Sequence, residues 1–362
     1  MSVDRKRARL ILVCACLSAC GCRAPSLSRP SQSSPVTASG LVFLAREETS
    51  ATEEPKCSIW TMNPDGRGRH KIDGSGNADS GAAPSPTGDS FLYLRGDTVH
   101  VYSFPEKKTT TLQVRDHPIG IVCWFPDGRR LALSWGGGIS TIDVSSGRTA
   151  NLLRQEDESI VGMAVSPDGR HIAFASLGGI SLAEIGATGL VSPRRIESGD
   201  SEGFQNGLSW SPDGRFLVHR STVHYSPIAS ASENRPEAPV SSLWVYDMTT
   251  RNSAMIHSPS QNLSAAFWAD ADKLAFSTCD LNTMQSNLYV SRLLRGEWTS
   301  HRIMTEEGVL SIGGWSRSDA GLFSYALADG EGSRIYVADS DGANRRAISP
   351  AEARDESPRW LR

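Results

Sequence analysis

From Leu41 onward the chain is written in short apolar or alternating runs, separated by clusters of Gly, Pro, Asp and Ser. Runs of that length bounded by turn residues predict β-strands, and no long stretch with a helical 3.6-residue period interrupts them. One pattern recurs. "SWSPDGRFLVHRS" (209–221) aligns with "IVCWFPDGRRLALS" (121–134) and "GMAVSPDGRHIAFAS" (162–176). Looser copies are "AAPSPTGDSFLYL" (82–94), "AAFWADADKLAFS" (265–277) and "IGGWSRSDAGLFSY" (312–325), and "SPRWLR" at the end of the chain is a truncated one. Each copy predicts a hairpin: a small residue opens the turn, Pro presets φ, Asp follows, and Gly takes the positive φ after a type I turn.

A second hairpin follows each first one, as in "IWTMNPDGRGRHKI" (59–72), "ISTIDVSSGRTANLL" (139–153), "LWVYDMTTRNSAMI" (243–256) and "IYVADSDGANRRAI" (335–348). Four antiparallel strands per unit, here termed A to D, repeating every few tens of residues, is the arithmetic of a β-propeller blade. "LVFLAR" (41–46) reads as a B strand without its A strand, and "SPRWLR" as an A strand without the rest. Joined, they complete a shared blade and leave no open sheet edge. The expected fold is therefore an all-β, seven-bladed propeller over 41–362; six or eight blades remain compatible with the weaker copies.

Residues 1–40 follow a different pattern. "MSVDRKRAR" is a basic segment and "LILVCACLSA" an apolar one, too short for the ~20 residues of a membrane-spanning helix. The two read as a signal peptide over 1–19. "LSAC" (17–20) resembles the lipobox of bacterial lipoproteins, which implies cleavage before Cys20 and its lipidation. An ordinary secretory signal, or modification at Cys22, is the alternative. The Ser/Pro-rich stretch up to residue 40 has too few large apolar groups to fold and reads as a tether. Cys57, Cys123 and Cys279 show no paired spacing that would suggest zinc.

The 39% hydrophobic and 21% charged content suits a globular protein, and a net charge of -3 gives no basic footprint for nucleic acid. "SPDGRHIAFAS" and "IYVADSDGANRRAIS" resemble the PD40, WD40-like repeats of the TolB-type propeller family. The resemblance runs from 41 to 362 and implies the fold; the repeat is not specific for function. TolB itself is similar to a six-bladed ring with an additional N-terminal domain, which has no counterpart here, so its lipoprotein partner does not transfer. Prolyl-oligopeptidase-type peptidases join similar propellers to a hydrolase domain with a GxSxG elbow, and no GxSxG occurs in this sequence. The eight histidines fall singly on different strands and loops, so no catalytic or metal residue is assigned and no cofactor expected. "DSDGAN" (339–344) starts like a calcium loop but has Pro350 where an EF-hand needs Glu, so it reads as a C–D turn. Trp124, Trp210, Trp268, Trp315 and Trp360 recur at the end of strand A and are expected to pack between blades.

Strand alternation places the A–B and C–D turns on one face and the B–C and D–A loops on the other. Arginines such as Arg129, Arg170, Arg215 and Arg251 collect on the first. The second receives Glu47, Glu48, Glu156, Asp157, Glu158, Glu197, Asp200, Glu202, Glu306, Glu307, Asp355 and Glu356, the candidate partner-binding residues. It also bears the longest insertion, 221–242. These features lead to an expected lipid-anchored, monomeric, non-catalytic scaffold of the cell envelope, at the outer membrane facing the periplasm or at the cell surface. Its expected partner is an envelope or peptidoglycan-associated protein with a basic surface. The alternative is a carbohydrate lyase or lactonase with its site in the central channel.

Overall fold

The computed structural model describes residues 40–47, 56–72, 78, 80–114, 118–154, 159–198, 203–223, 240–264, 266–316, 321–330 and 332–361. They form seven four-stranded antiparallel sheets arranged as a seven-bladed propeller, with no helix among them. Blade 1 is made of β1 (Leu41–Glu47), β2 (Lys56–Met62), β3 (His70–Lys71) and, from the far end of the chain, β28 (Asp355–Trp360). Blade 2 comprises β4 (Ala83–Pro84), β5 (Ser90–Arg95), β6 (Thr98–Ser103) and β7 (Lys108–Gln113); blade 3, β8 (Val122–Trp124), β9 (Arg130–Trp135), β10 (Gly138–Asp143) and β11 (Thr149–Arg154). Blade 4 follows with β12 (Gly162–Val165), β13 (His171–Ser176), β14 (Gly179–Ile185) and β15 (Leu190–Ser198), and blade 5 with β16 (Gly203–Trp210), β17 (Phe216–Val223), β18 (Val240–Asp247) and β19 (Ser253–Gln261). Blade 6 has β20 (Phe267–Asp270), β21 (Lys273–Asp280), β22 (Gln285–Leu294) and β23 (Glu297–Glu307); blade 7 has β24 (Val309–Trp315), β25 (Leu322–Ala328), β26 (Ser333–Asp339) and β27 (Arg346–Ala347).

The shared blade closes as the single A strand and the B, C and D strands at the two ends predict. β28 lies against β1 with Leu41 opposite Trp360 and Ala45 opposite Asp355. The apolar core is divided into clusters that sit between neighbouring blades. One joins blade 7 to blade 1 through Phe43, Met62, Ala326, Ile335 and Val337, so the last interface is packed like the others.

Repetition of the first turn has a structural cause. In blades 4 and 5, Ser166 and Ser211 accept the backbone N–H of His171 and Phe216, and their hydroxyls donate to Asp168 and Asp213. The following glycines take φ of 70° and 75°. In blade 3, Gly128 (φ 65°) lies so close to the preceding turn that a Cβ would sit 2.9 Å from Thr87. Side chains are excluded there by both backbone conformation and neighbour.

The strand-A tryptophans lock blade to blade. Trp124, Trp210, Trp268 and Trp360 donate their indole N–H to the carbonyls of Ala83, Ala164, Ser209 and Gly314, each in the innermost strand of the preceding blade. Trp315 makes no such bond among the described residues; the ammonium of Lys273 stands 4.4 Å above its ring instead. A second ring of equivalent positions lies in strand B, where Phe43, Tyr93, Leu133, Phe174, His219, Phe276 and Tyr325 face strand C. Several form aromatic pairs there, including Phe276 stacked on Tyr289 and Tyr325 on Tyr336.

Candidate partner-binding face

The B–C connections set the geometry of one face. β9 passes to β10 through residues 136–137, β13 to β14 through 177–178 and β21 to β22 through 281–284. In blade 5, by contrast, residues 224–239 lie between β17 and β18, whose ladder runs unbroken from Phe216 opposite Asp247 to Val223 opposite Val240. A full-length hairpin thus carries the insertion on a rigid base.

Four members of the expected acidic set can be placed with their side chains. Glu307 is exposed. Glu356 pairs with Arg46, Nε to Oε1 2.8 Å, at the rim of blade 1. Asp355 is fully enclosed: Arg69 meets its Oδ1 at 2.8 Å and the Ser349 hydroxyl donates to its Oδ2 at 2.8 Å. Glu306 is also buried, ion-paired to Arg345 and accepting from the Tyr325 hydroxyl at 3.3 Å. Burial pushes the Tyr325 phenol above its ordinary range, so it stays protonated and donates. Asp355 and Glu306 therefore serve the joints between blades and present no charge to solvent.

Arg69 and Arg345 begin on the opposite face, in the C–D turns of blades 1 and 7, and their side chains run inward along the blade. The Arg69 guanidinium lies 4.1 Å from the Trp60 ring centroid before reaching Asp355. The face holding most arginines is also not of one sign, because many of its turns supply carboxylates such as Asp65, Asp127, Asp168, Asp213 and Asp247.

Glu47 falls in β1 opposite Lys56 and Glu197 in β15 opposite Ile180, with side chains outside the described set. Cys20, Glu48, Glu156, Asp157, Glu158, Asp200 and Glu202 lie outside the described residues altogether.

The B–C face carries apolar groups that strand patterning does not single out. Leu177 in blade 4 is 65% exposed, and Leu281 and Met284 in blade 6 are 47% and 45% exposed. They stand on the B–C turns on either side of blade 5. The only hint in the sequence is that "SLGG" (176–179) and "DLNTM" (280–284) place large apolar residues where a turn calls for small or polar ones.

The described histidines are dispersed in space as in sequence. His70 contacts Thr61, His100 stacks on Tyr93 at 5.0 Å, and His257 lies against Phe276 and Tyr289. His219 is 1% exposed, and neither ring nitrogen has a hydrogen-bond partner among the described residues. Burial lowers its pKa to about 3, so it is neutral at ordinary pH. Among the described residues no group of three His, Cys, Asp or Glu is close enough to hold a metal ion.

No family model matches the sequence, and no curated protein matches it. Many solved structures share its fold. The tricorn protease superposes with a TM-score of 0.54 at 14% identity, over 81% of this chain and 34% of the protease. Dipeptidyl peptidase 4 of Porphyromonas gingivalis gives 0.50 at 16% identity, over 75% of this chain and 46% of the peptidase. Solved TolB structures are also similar. A putative TolB from Agrobacterium tumefaciens gives 0.48 at 14% identity, over 73% of this chain and 97% of its own. The likeness to these proteins is one of fold. This chain spans only about a third of the tricorn protease and under half of the peptidase.

Proposed function

We propose that the protein is a lipid-anchored scaffold of the cell envelope that binds a protein partner, envelope-resident or peptidoglycan-associated, on its B–C and D–A face. The blade 5 hairpin carries this reading: a complete ladder runs to Val223 and Val240 at the face, between exposed Leu177 on one side and Leu281 and Met284 on the other. Large apolar groups exposed on a rigid frame give a partner surface to bury, and Met is enriched in protein interfaces. The acidic residues of the same face outside the described set, Glu156, Asp157 and Glu158 among them, would steer a basic partner toward it. Membrane attachment rests on Cys20 at the end of "LSAC".

Crosslinking in intact cells, followed by capture of the crosslinked partner, tests the binding role. Leu177→Asp with Leu281→Asp should weaken capture about fivefold or more, as truncating an interface anchor does. Unchanged capture contradicts the location, and capture of no defined partner contradicts the role. Cys20→Ala should move the protein from the membrane to the soluble fraction.

The likeness to parts of two peptidases gives a second reading, in which the propeller serves an enzymatic activity. Peptide hydrolysis by the purified chain would favour it.

A further inference from the structure

The described chain enters the propeller on one particular face. Gly40 accepts the backbone N–H of Leu361 at 2.9 Å, and Leu41 starts β1 beside Trp360 and Met62. That end of blade 1 is where A–B and C–D connections lie, opposite the B–C face. A flexible chain of about twenty residues, the number that separates Cys20 from Gly40 in the sequence, has a root-mean-square span of roughly 25 Å. Strands of six to eight residues rise by about 20–27 Å, so the blades are about as deep as the tether is long.

The two signs of charge on this face are held differently. Asp127, Asp143, Asp168, Asp213 and Asp247 each accept backbone N–H groups of their own turns, which holds the carboxylates back against the chain. Lys107, Lys108, Arg129, Arg148, Arg170 and Arg251, on the turns of blades 2 to 5, are exposed and form no ion pair among the described residues. Where pairs do form, the guanidinium is the more exposed member: 87% for Arg67 against 51% for Asp65, and 45% for Arg215 against 15% for Asp247. The unpaired cations of blades 2 to 5 are thus free to meet an approaching flat surface, on a face that also exposes carboxylates such as Glu106, Asp168 and Asp272. Contact is therefore favoured with a surface of fixed negative charge at short range, within about a Debye length.

We propose that the A–B and C–D turn face rests toward the membrane, docking on anionic phospholipid headgroups, and that the B–C face with Leu177, Leu281 and Met284 is thereby turned outward to the partner. The inference deepens the proposed function and rests on its anchor at Cys20. The bilayer is the occupant because the chain leaves this face toward the lipidated residue. The exposed cations without an ion pair then supply contact with the headgroups.

The test uses the full chain, purified with its anchor and carrying Cys22→Ser and Cys57→Ser. A single fluorophore is placed by Thr250→Cys, in the C–D turn of blade 5, or by Asn282→Cys, in the B–C turn of blade 6. Both positions are exposed. Energy transfer to a headgroup-labelled lipid is read in vesicles of phosphatidylcholine with and without phosphatidylglycerol. Transfer from position 250 should exceed that from position 282 by about twofold or more, given the tether length. The excess should grow with phosphatidylglycerol and lose that increment in a chain carrying Arg129→Gln, Arg148→Gln, Arg170→Gln and Arg251→Gln. Equal transfer from the two positions, with the protein still floating with the vesicles, overturns the orientation and leaves the anchor standing. Failure to float overturns the anchor and the orientation together. An excess indifferent to phosphatidylglycerol overturns the role of the exposed cations.

Discussion

His219 departs from the rest of its ring. Where other blades place Phe43, Tyr93, Phe174, Phe276 and Tyr325, blade 5 buries an imidazole with no partner among the described residues. The neutral form is the one burial favours, and the folded pKa of about 3 lies well below the ordinary 6.5. The unfolded chain therefore binds this proton first on acidification. The stability contributed by the neutral ring is complete above about pH 6.5 and is lost as pH falls toward 3, by up to about 1.4 kcal/mol per pH unit. His100 and His257 shift the same way, His257 through burial and His100 through burial first and Arg95 second. Thermal unfolding followed from pH 7 to pH 4 should show a steep loss in the native protein and a shallower one in His219→Phe. Parallel slopes would contradict the assignment. The single-sequence pattern marks His219 as one apolar-strand residue among many. Its oddness shows only when the seven strand-B registers are laid side by side.

At the scale of strands and turns, local chemistry is legible and long-range pairing is not. Pro-Asp-Gly turns announce themselves because each is completed by atoms within five residues, as with Ser211, Asp213, Gly214 and the Phe216 amide. Gly128→Ala should accordingly cost about 1 kcal/mol or more, since it adds a Cβ against Thr87 to the cost of positive φ. Asp355 is the opposite case. Charge and position assign it to the loop face, yet its partner Arg69 stands 286 residues away and reaches it over Trp60 from the other side of the blade. Glu306 and Arg345 repeat the arrangement one blade earlier. Asp355→Ala leaves Arg69 without its counterion at the joint between blades 7 and 1 and should cost about 2–4 kcal/mol in denaturant unfolding, less than a fully enclosed pair because Arg69 keeps some contact with water. A loss within experimental error would show that the joint does not depend on the pair.

For the whole molecule, although the weaker copies leave six or eight blades open, closure is readable because a lone A strand at one end and strands B to D at the other complete one blade. The polarity of the faces is not, because arginines and aspartates come from the same turns, and only coordinates show which of them project and which fold back. Steering belongs to this scale. Reversing the charges of Glu156, Asp157 and Glu158 together should slow capture of the partner and flatten its dependence on salt, as loss of long-range attraction does. Association rates unchanged at low salt would contradict it.

Everything assigned to the two faces depends on β28 closing the ring against β1. Val42 and Arg359 are directly paired across that seam. Cα atoms of such pairs lie about 4.5–5.5 Å apart, within reach of a disulfide. In a chain with Val42→Cys and Arg359→Cys and the other free cysteines replaced, mild oxidation should give a monomeric, intramolecularly bridged product in high yield while the protein is folded. Cysteines that stay reduced, or that bridge only between molecules, would contradict the closed propeller.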